Sequence, residues 1–120
     1  MNDEKFIIEG GKPLEGEVEV VGSKNAAGPV LAASLLTSEE CEIDNIPQIS
    51  DVLNMIEVIK SIGAKVSFSG ERKIKVKAQN LDLKKMDFER ISAMRMSVLL
   101  IGSLLSRLPF FKFLIPVVIE

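Results

Sequence analysis

Gly22-Ser23-Lys24-Asn25 places a lysine and an amide in a small-residue turn, where an alternating segment ending at Val21 gives way to a helical one. The unpaired N–H groups of a helix start carry partial positive charge and favour Asp or Glu, so a lysine there opposes the local field. The plain reading is a turn with a solvated lysine, and the pattern by itself favours it. The chemical reading is an anion seat, in which helix N–H groups and an ammonium together hold phosphate or carboxylate. The four residues are not a Walker motif. Arg95, in Ser92-Ala93-Met94-Arg95-Met96-Ser97, borders a segment that turns wholly apolar one turn later. A charge at such a border needs a partner. Glu89 or Glu57 could supply an ordinary ion pair, which the pattern favours, and a bound anion is the alternative. Cys41 lies between Glu40 and Glu42, a poor setting for a nucleophilic thiolate, and reads as a structural thiol.

Composition removes many other chemistries. With one cysteine and no histidine there is no internal disulfide, no ordinary Cys/His zinc site and no Ser-His-Asp or Cys-His machinery. No metal and no cofactor is expected. The net charge of −2 offers no basic footprint for nucleic acid, and the lack of Trp and Tyr removes the usual stacking anchors. Met1 to Lys5 lacks the basic and apolar regions of a signal peptide, which leads to the expectation of a cytoplasmic protein. The apolar stretch from Val98 to Ile119 is interrupted by Arg107, Pro109 and Lys112, so a buried helix followed by a strand is expected instead of a membrane span. The oligomeric state stays open.

The elements that must position Lys24, Asn25 and Arg95 follow from periodicity. The 120 residues, 47% hydrophobic and 27% charged, suit one globular domain. Phe6 to Ile8 and Glu15 to Val21 read as two short strands. A helix is expected to start near Asn25 to Ala27, because Pro29 is tolerated only in a first turn. Cys41 to Ile46 alternates like a strand. Ser50 is a good N-cap for a helix on which Val52, Met55, Ile56, Ile59 and Ile62 recur, with Gly63 as its cap at the far end. Ala64 to Phe68 and Lys73 to Lys77 predict a hairpin, with Lys73, Lys75 and Lys77 on a solvated face. A last helix is expected from about Phe88 to Ser106, buried beyond Val98. Ala32 to Thr37 aligns with Ile101 to Ser106, and the same register sets Ala26 opposite Arg95. A strand–helix–strand–helix–hairpin unit thus finishes near residue 80 and starts again.

These residues carry a resemblance. Ile8-Glu9-Gly10-Gly11, Leu14-Glu15-Gly16-Glu17-Val18 and Gly22-Ser23-Lys24-Asn25-Ala26-Ala27-Gly28-Pro29-Val30-Leu31-Ala32-Ala33 resemble the opening of the UDP-N-acetylglucosamine 1-carboxyvinyltransferases, in the enolpyruvyl transferase family. Ile43 to Pro47, Asp51-Val52, Ile62 to Val66 and Met94 to Ser97 match its pattern in the same order. The sister enzymes acting on shikimate 3-phosphate are similar in fold, but typically carry Ser or Ala-type residues where Asn25 stands.

The resemblance implies an α/β (α+β) fold of repeated βαβαββ units from an inverse α/β barrel, incomplete here. Residues 1–21 would be N-terminal strands of a first barrel domain, 22–80 the first unit of the second domain, and 81–120 the start of a second unit with a divergent tail. It implies transfer of enolpyruvyl from phosphoenolpyruvate to the 3-hydroxyl of UDP-N-acetylglucosamine. Lys24 and Asn25 would bind both substrates, and Arg95 would contact the UDP-sugar. The family continues after Phe110 to Phe113 into a Gly-rich loop that usually bears a catalytic cysteine and an arginine. Leu114 to Glu120 contains neither, so no catalytic residue is assigned in this chain, and an N-terminal piece inactive on its own is expected. A non-catalytic module for anionic ligands is the other reading.

Overall fold

The computed structural model describes residues 3–108. Ser23 starts the first helix, its Oγ accepting the Ala26 N–H at 3.3 Å. This α1 covers Lys24–Ser34 and places Lys24 at the helix mouth, as expected. Pro29 lies a turn deeper than the first-turn position expected for it. Having no N–H, it cannot supply the helical donor to the Asn25 carbonyl. Strand β1 (Glu40–Ile43) follows, then α2 (Ser50–Ser61) and the hairpin β2 (Lys65–Gly70) and β3 (Lys73–Lys77). Ser50 is the first residue of α2 and not its cap, because the Ile49 carbonyl already accepts the Leu53 N–H at 3.0 Å. Gly63 ends α2 with a φ of 102°, a conformation that glycine adopts without the strain a side chain brings.

The three strands are antiparallel in the order β1-β3-β2. The helices cover one face, where Ile74 and Val76 are buried together with Leu31, Leu35, Ile46, Met55, Ile56, Ile59 and Ile62. Each such side chain contributes on the order of 1.5–3 kcal/mol by leaving water. From α1 to β3 the order is αβαββ, the expected strand–helix–strand–helix–hairpin order without its opening strand.

Two expectations are corrected. Residues 6–8 and 15–21 form no strand. Phe6, Ile7, Ile8, Leu14, Val18 and Val20 are exposed, and no strand of the described residues pairs with them. Alternation gives a segment the right side chains for a sheet, but only a partner strand supplies its hydrogen bonds. The single helix expected over 88–106 is three pieces: α3 (Phe88–Ala93), a 3₁₀ turn at Arg95–Leu99 and α4 (Leu100–Arg107). Met94 is extended between them, at φ −117° and ψ 120°. The buried Ser97 hydroxyl lies 2.6 Å from the Met94 carbonyl and 3.1 Å from that of Ile91, which also accepts the Met94 N–H at 3.2 Å, so the hydroxyl ties the two sides of the break together. Beyond Val98 only one face is covered: Leu100, Ser103 and Leu104 are buried, whereas Leu99 and Leu105 are exposed.

Arg107 closes the far end of α1. Its Nη1 donates to the carbonyls of Leu35 at 3.0 Å and Thr37 at 3.3 Å, and also to that of Ala78. Among the described residues no helix is long and apolar enough to cross a membrane. The expected strand beyond residue 108 and the divergent tail lie outside the described residues.

Candidate functional site

Lys24 owes its position to an anchor on each side. Ser23 fixes the helix start. Upstream, Asn45 grips the incoming chain: its Oδ1 accepts the Gly22 N–H at 3.0 Å, and its Nδ2 donates to the Val20 carbonyl at 3.0 Å. Asn45 holds a φ of 56°, tolerated by asparagine better than by most side chains. Gly22 has to be glycine for this fit, since a Cβ there would lie 1.8 Å from the Asn45 carbonyl oxygen.

Arg95 arrives from the opposite direction. It starts the 3₁₀ turn, which packs on α1 at Gly28, and a Cβ on Gly28 would come within 2.8 Å of Met96 Sδ and 3.1 Å of Leu99 Cδ1. The small residue lets the turn approach the helix closely. The two segments thus face each other across a cleft of about 600 Å³. Lys24, Asn25, Asp51 and Arg95 are its polar lining, with Pro29, Met94, Met96, Val98 and Leu99 among the apolar walls.

The structure therefore brings all three sequence-predicted site residues into one cavity. The ion pair weighed for Arg95 is not formed: Glu57 pairs with Lys60 at 3.0 Å, and Arg95 makes no ion pair among the described residues. Lys24 is exposed but not unpaired, because its Nζ contacts Asp51 Oδ2, from the first turn of α2. Sequence reading took Asp51 only as a favourable first-turn acid. The missed signal was a matching conflict: a lysine that opposes one helix start is balanced by a carboxylate that suits another.

Two cations and one carboxylate line the cleft, so it carries net positive charge next to apolar walls. Such a lining suits a ligand with several anionic groups and an apolar or flat portion. Among the described residues no group of His, Cys, Asp and Glu could hold a metal ion. Cys41 lies away from the cleft, half-buried on β1 opposite Val76.

Residues 8–118 match the family described as EPSP synthase (3-phosphoshikimate 1-carboxyvinyltransferase). Similar curated proteins include the UDP-N-acetylglucosamine 1-carboxyvinyltransferase of Methylacidiphilum infernorum, 44% identical over 105 residues. That match covers 87% of this chain and 24% of the relative. The protein of the same name from Dichelobacter nodosus is 42% identical over 104 residues, covering 87% of this chain and 25% of the relative. Among solved structures, the enolpyruvyl transferase NikO from Streptomyces tendae is similar with a TM-score of 0.67 and 26% identity. The likeness covers 82% of this chain and 23% of that one. The chain thus spans about a quarter of the length of the curated relatives it matches.

Proposed function

We propose a function that proceeds from one fact: the chain belongs to the EPSP synthase family, the enolpyruvyl transferases. The cleft between α1 and the 3₁₀ turn binds phosphoenolpyruvate and UDP-N-acetylglucosamine, for transfer of the enolpyruvyl group to the sugar 3-hydroxyl. In this reading the protein serves the first committed step of peptidoglycan synthesis, in the cytoplasm. The observation that carries it is the convergence of Lys24, Asn25 and Arg95 on one positively charged cleft. The names of the similar curated proteins support the choice of sugar nucleotide.

The chemistry asks for such a lining. One C–O bond forms to the sugar while another breaks to release phosphate, and negative charge gathers on the departing group. Cations fixed beside that charge offset it without having to reorganise. Lys24 and Asn25, at the mouth of α1, bind phosphoenolpyruvate and the sugar nucleotide, and Arg95 contacts the UDP-sugar. These are binding roles, and no residue of the cleft is assigned as a general acid or nucleophile.

Calorimetric titration of the chain with UDP-N-acetylglucosamine, with and without phosphoenolpyruvate, tests the reading. Lys24→Ala removes a charge-assisted contact of about 1.5–3 kcal/mol, so affinity is expected to fall at least ~10-fold. Unchanged affinity in that variant would sink the assignment.

A further inference from the structure

A lysine that only attracts anions works best without a partner, yet Lys24 Nζ touches Asp51 Oδ2 across the starts of two helices. The contact is no buried anchor. The two side chains are 48% and 45% exposed, and both line the cleft. A carboxylate accepts hydrogen bonds and donates none. Any ligand group entering beside Lys24 therefore meets a cation and an acceptor-only anion together, with the Asn25 amide adjacent in the chain. A bare anion gains the ammonium but is repelled by the carboxylate, or has to displace it. A ligand that presents a hydroxyl or N–H donor next to its anionic group satisfies both side chains at once.

We infer that Asp51 determines specificity at this mouth, disfavouring bare anions and selecting ligands whose negative charge lies beside a hydrogen-bond donor, as in a phosphorylated sugar. The inference rests on the reading of Lys24 and Arg95 as anion ligands. It adds a selection step to that reading. Lys24 and Arg95 supply attraction that any phosphate can use, and Asp51 makes the attraction conditional. Its place in the first turn of α2 lets the carboxylate sit there at no cost to that helix, since the same charge complements the helix dipole.

The test follows backbone amide shifts of the whole chain during titration with sulfate, which is fully deprotonated at neutral pH and offers no donor, and, separately, with UDP-N-acetylglucosamine. Asp51→Asn is expected to bind sulfate at least ~3-fold more tightly than the wild type and the sugar nucleotide no more tightly, so that discrimination falls. Asp51→Glu keeps the carboxylate and is expected to retain the wild-type ratio, which controls for a disturbed α2 start. Sulfate affinity that is unchanged or weaker in Asp51→Asn overturns the inference. Lys24→Ala separates the two levels. If it weakens both ligands while Asp51→Asn leaves their ratio alone, only the role of Asp51 fails. If Lys24→Ala changes neither, the anion-site reading itself fails.

Discussion

The outward face of the sheet and the cleft beside α1 are built from the same charged residue types, and they use them in opposite ways. On the sheet, register alone pairs the charges. Glu42 stands opposite Lys75, and Lys75 Nζ lies 3.5 Å from Glu40 Oε1 and 3.9 Å from Glu42 Oε2. Lys73 Nζ lies 3.2 Å from Glu42 and 3.8 Å from Asp44. Alternation along β1 and β3 thus brings each of these cations between two carboxylates. In the cleft the charges come from α1, α2 and the 3₁₀ turn, and two cations stand beside one carboxylate that pairs, among the described residues, with Lys24 alone. A balanced ladder has no electrostatic use for a ligand; an unbalanced cleft does.

Truncating one cation in each region gives the sharpest contrast. Arg95→Ala is expected to weaken UDP-N-acetylglucosamine binding at least ~10-fold, with the urea midpoint almost unmoved, because the exposed guanidinium supports no ion pair among the described residues. Lys75→Ala is expected to leave that affinity within about twofold and to cost about 0.2–1 kcal/mol of stability, typical of exposed pairs. Similar losses of affinity in both variants would reduce the cleft to a general positive field.

The next effect tests whether the cleft depends on its upstream latch. Asn45→Ala removes the contacts to Gly22 and Val20 and leaves alanine at a φ of 56°. Lost hydrogen bonds and left-handed strain together come to about 1–3 kcal/mol. Hydrogen exchange at the Gly22 amide should accelerate, and ligand affinity should fall a few-fold as Lys24 loses its fixed approach. Gly22→Ala attacks the same latch from the other side, so the double variant should cost less than the sum of the two. Full additivity would mean that the two residues act apart.

What the sequence disclosed divides along the same line. Local periodicity carried α2, whose Val52, Met55, Ile56, Ile59 and Ile62 are all buried, and Gly63 marked its end. The hairpin of β2 and β3 was equally legible, as were Lys24 and Arg95 as charges in need of a reason. Residues joined by tertiary contact were not. Asp51 read as a helix-start acid and Asn45 as a strand residue, and only the fold shows that one balances Lys24 and the other latches Gly22. Arg107 read as an interruption of an apolar run, whereas it gathers carbonyls from three separate positions of the chain. The break at Met94 was hidden because Ser97 reaches across it to the Ile91 carbonyl, a contact that helical spacing does not announce. For residues 6–8 and 15–21 the alternation was present and the partner strand was not.

The smallest expected effect concerns the ladder itself. The hydrogen bond that the Lys73 ammonium donates to Glu42, then the charges of Glu42 and Asp44, hold that ammonium above the ordinary lysine value. A raised folded-state pKa means that the protonated side chain stabilises the fold. That contribution is complete below the unfolded-state value, ~10.4, and is lost as pH rises through the higher folded value. The difference in urea midpoint between the wild type and Lys73→Met should therefore hold steady from neutral pH to about 10 and shrink above it. High salt should also reduce it, since an exposed ladder is screened. A difference that stays constant through pH 11 at low salt would make Lys73 a solvated lysine after all, and the contrast would then lie between a cleft that uses its charges and a sheet face that merely displays them.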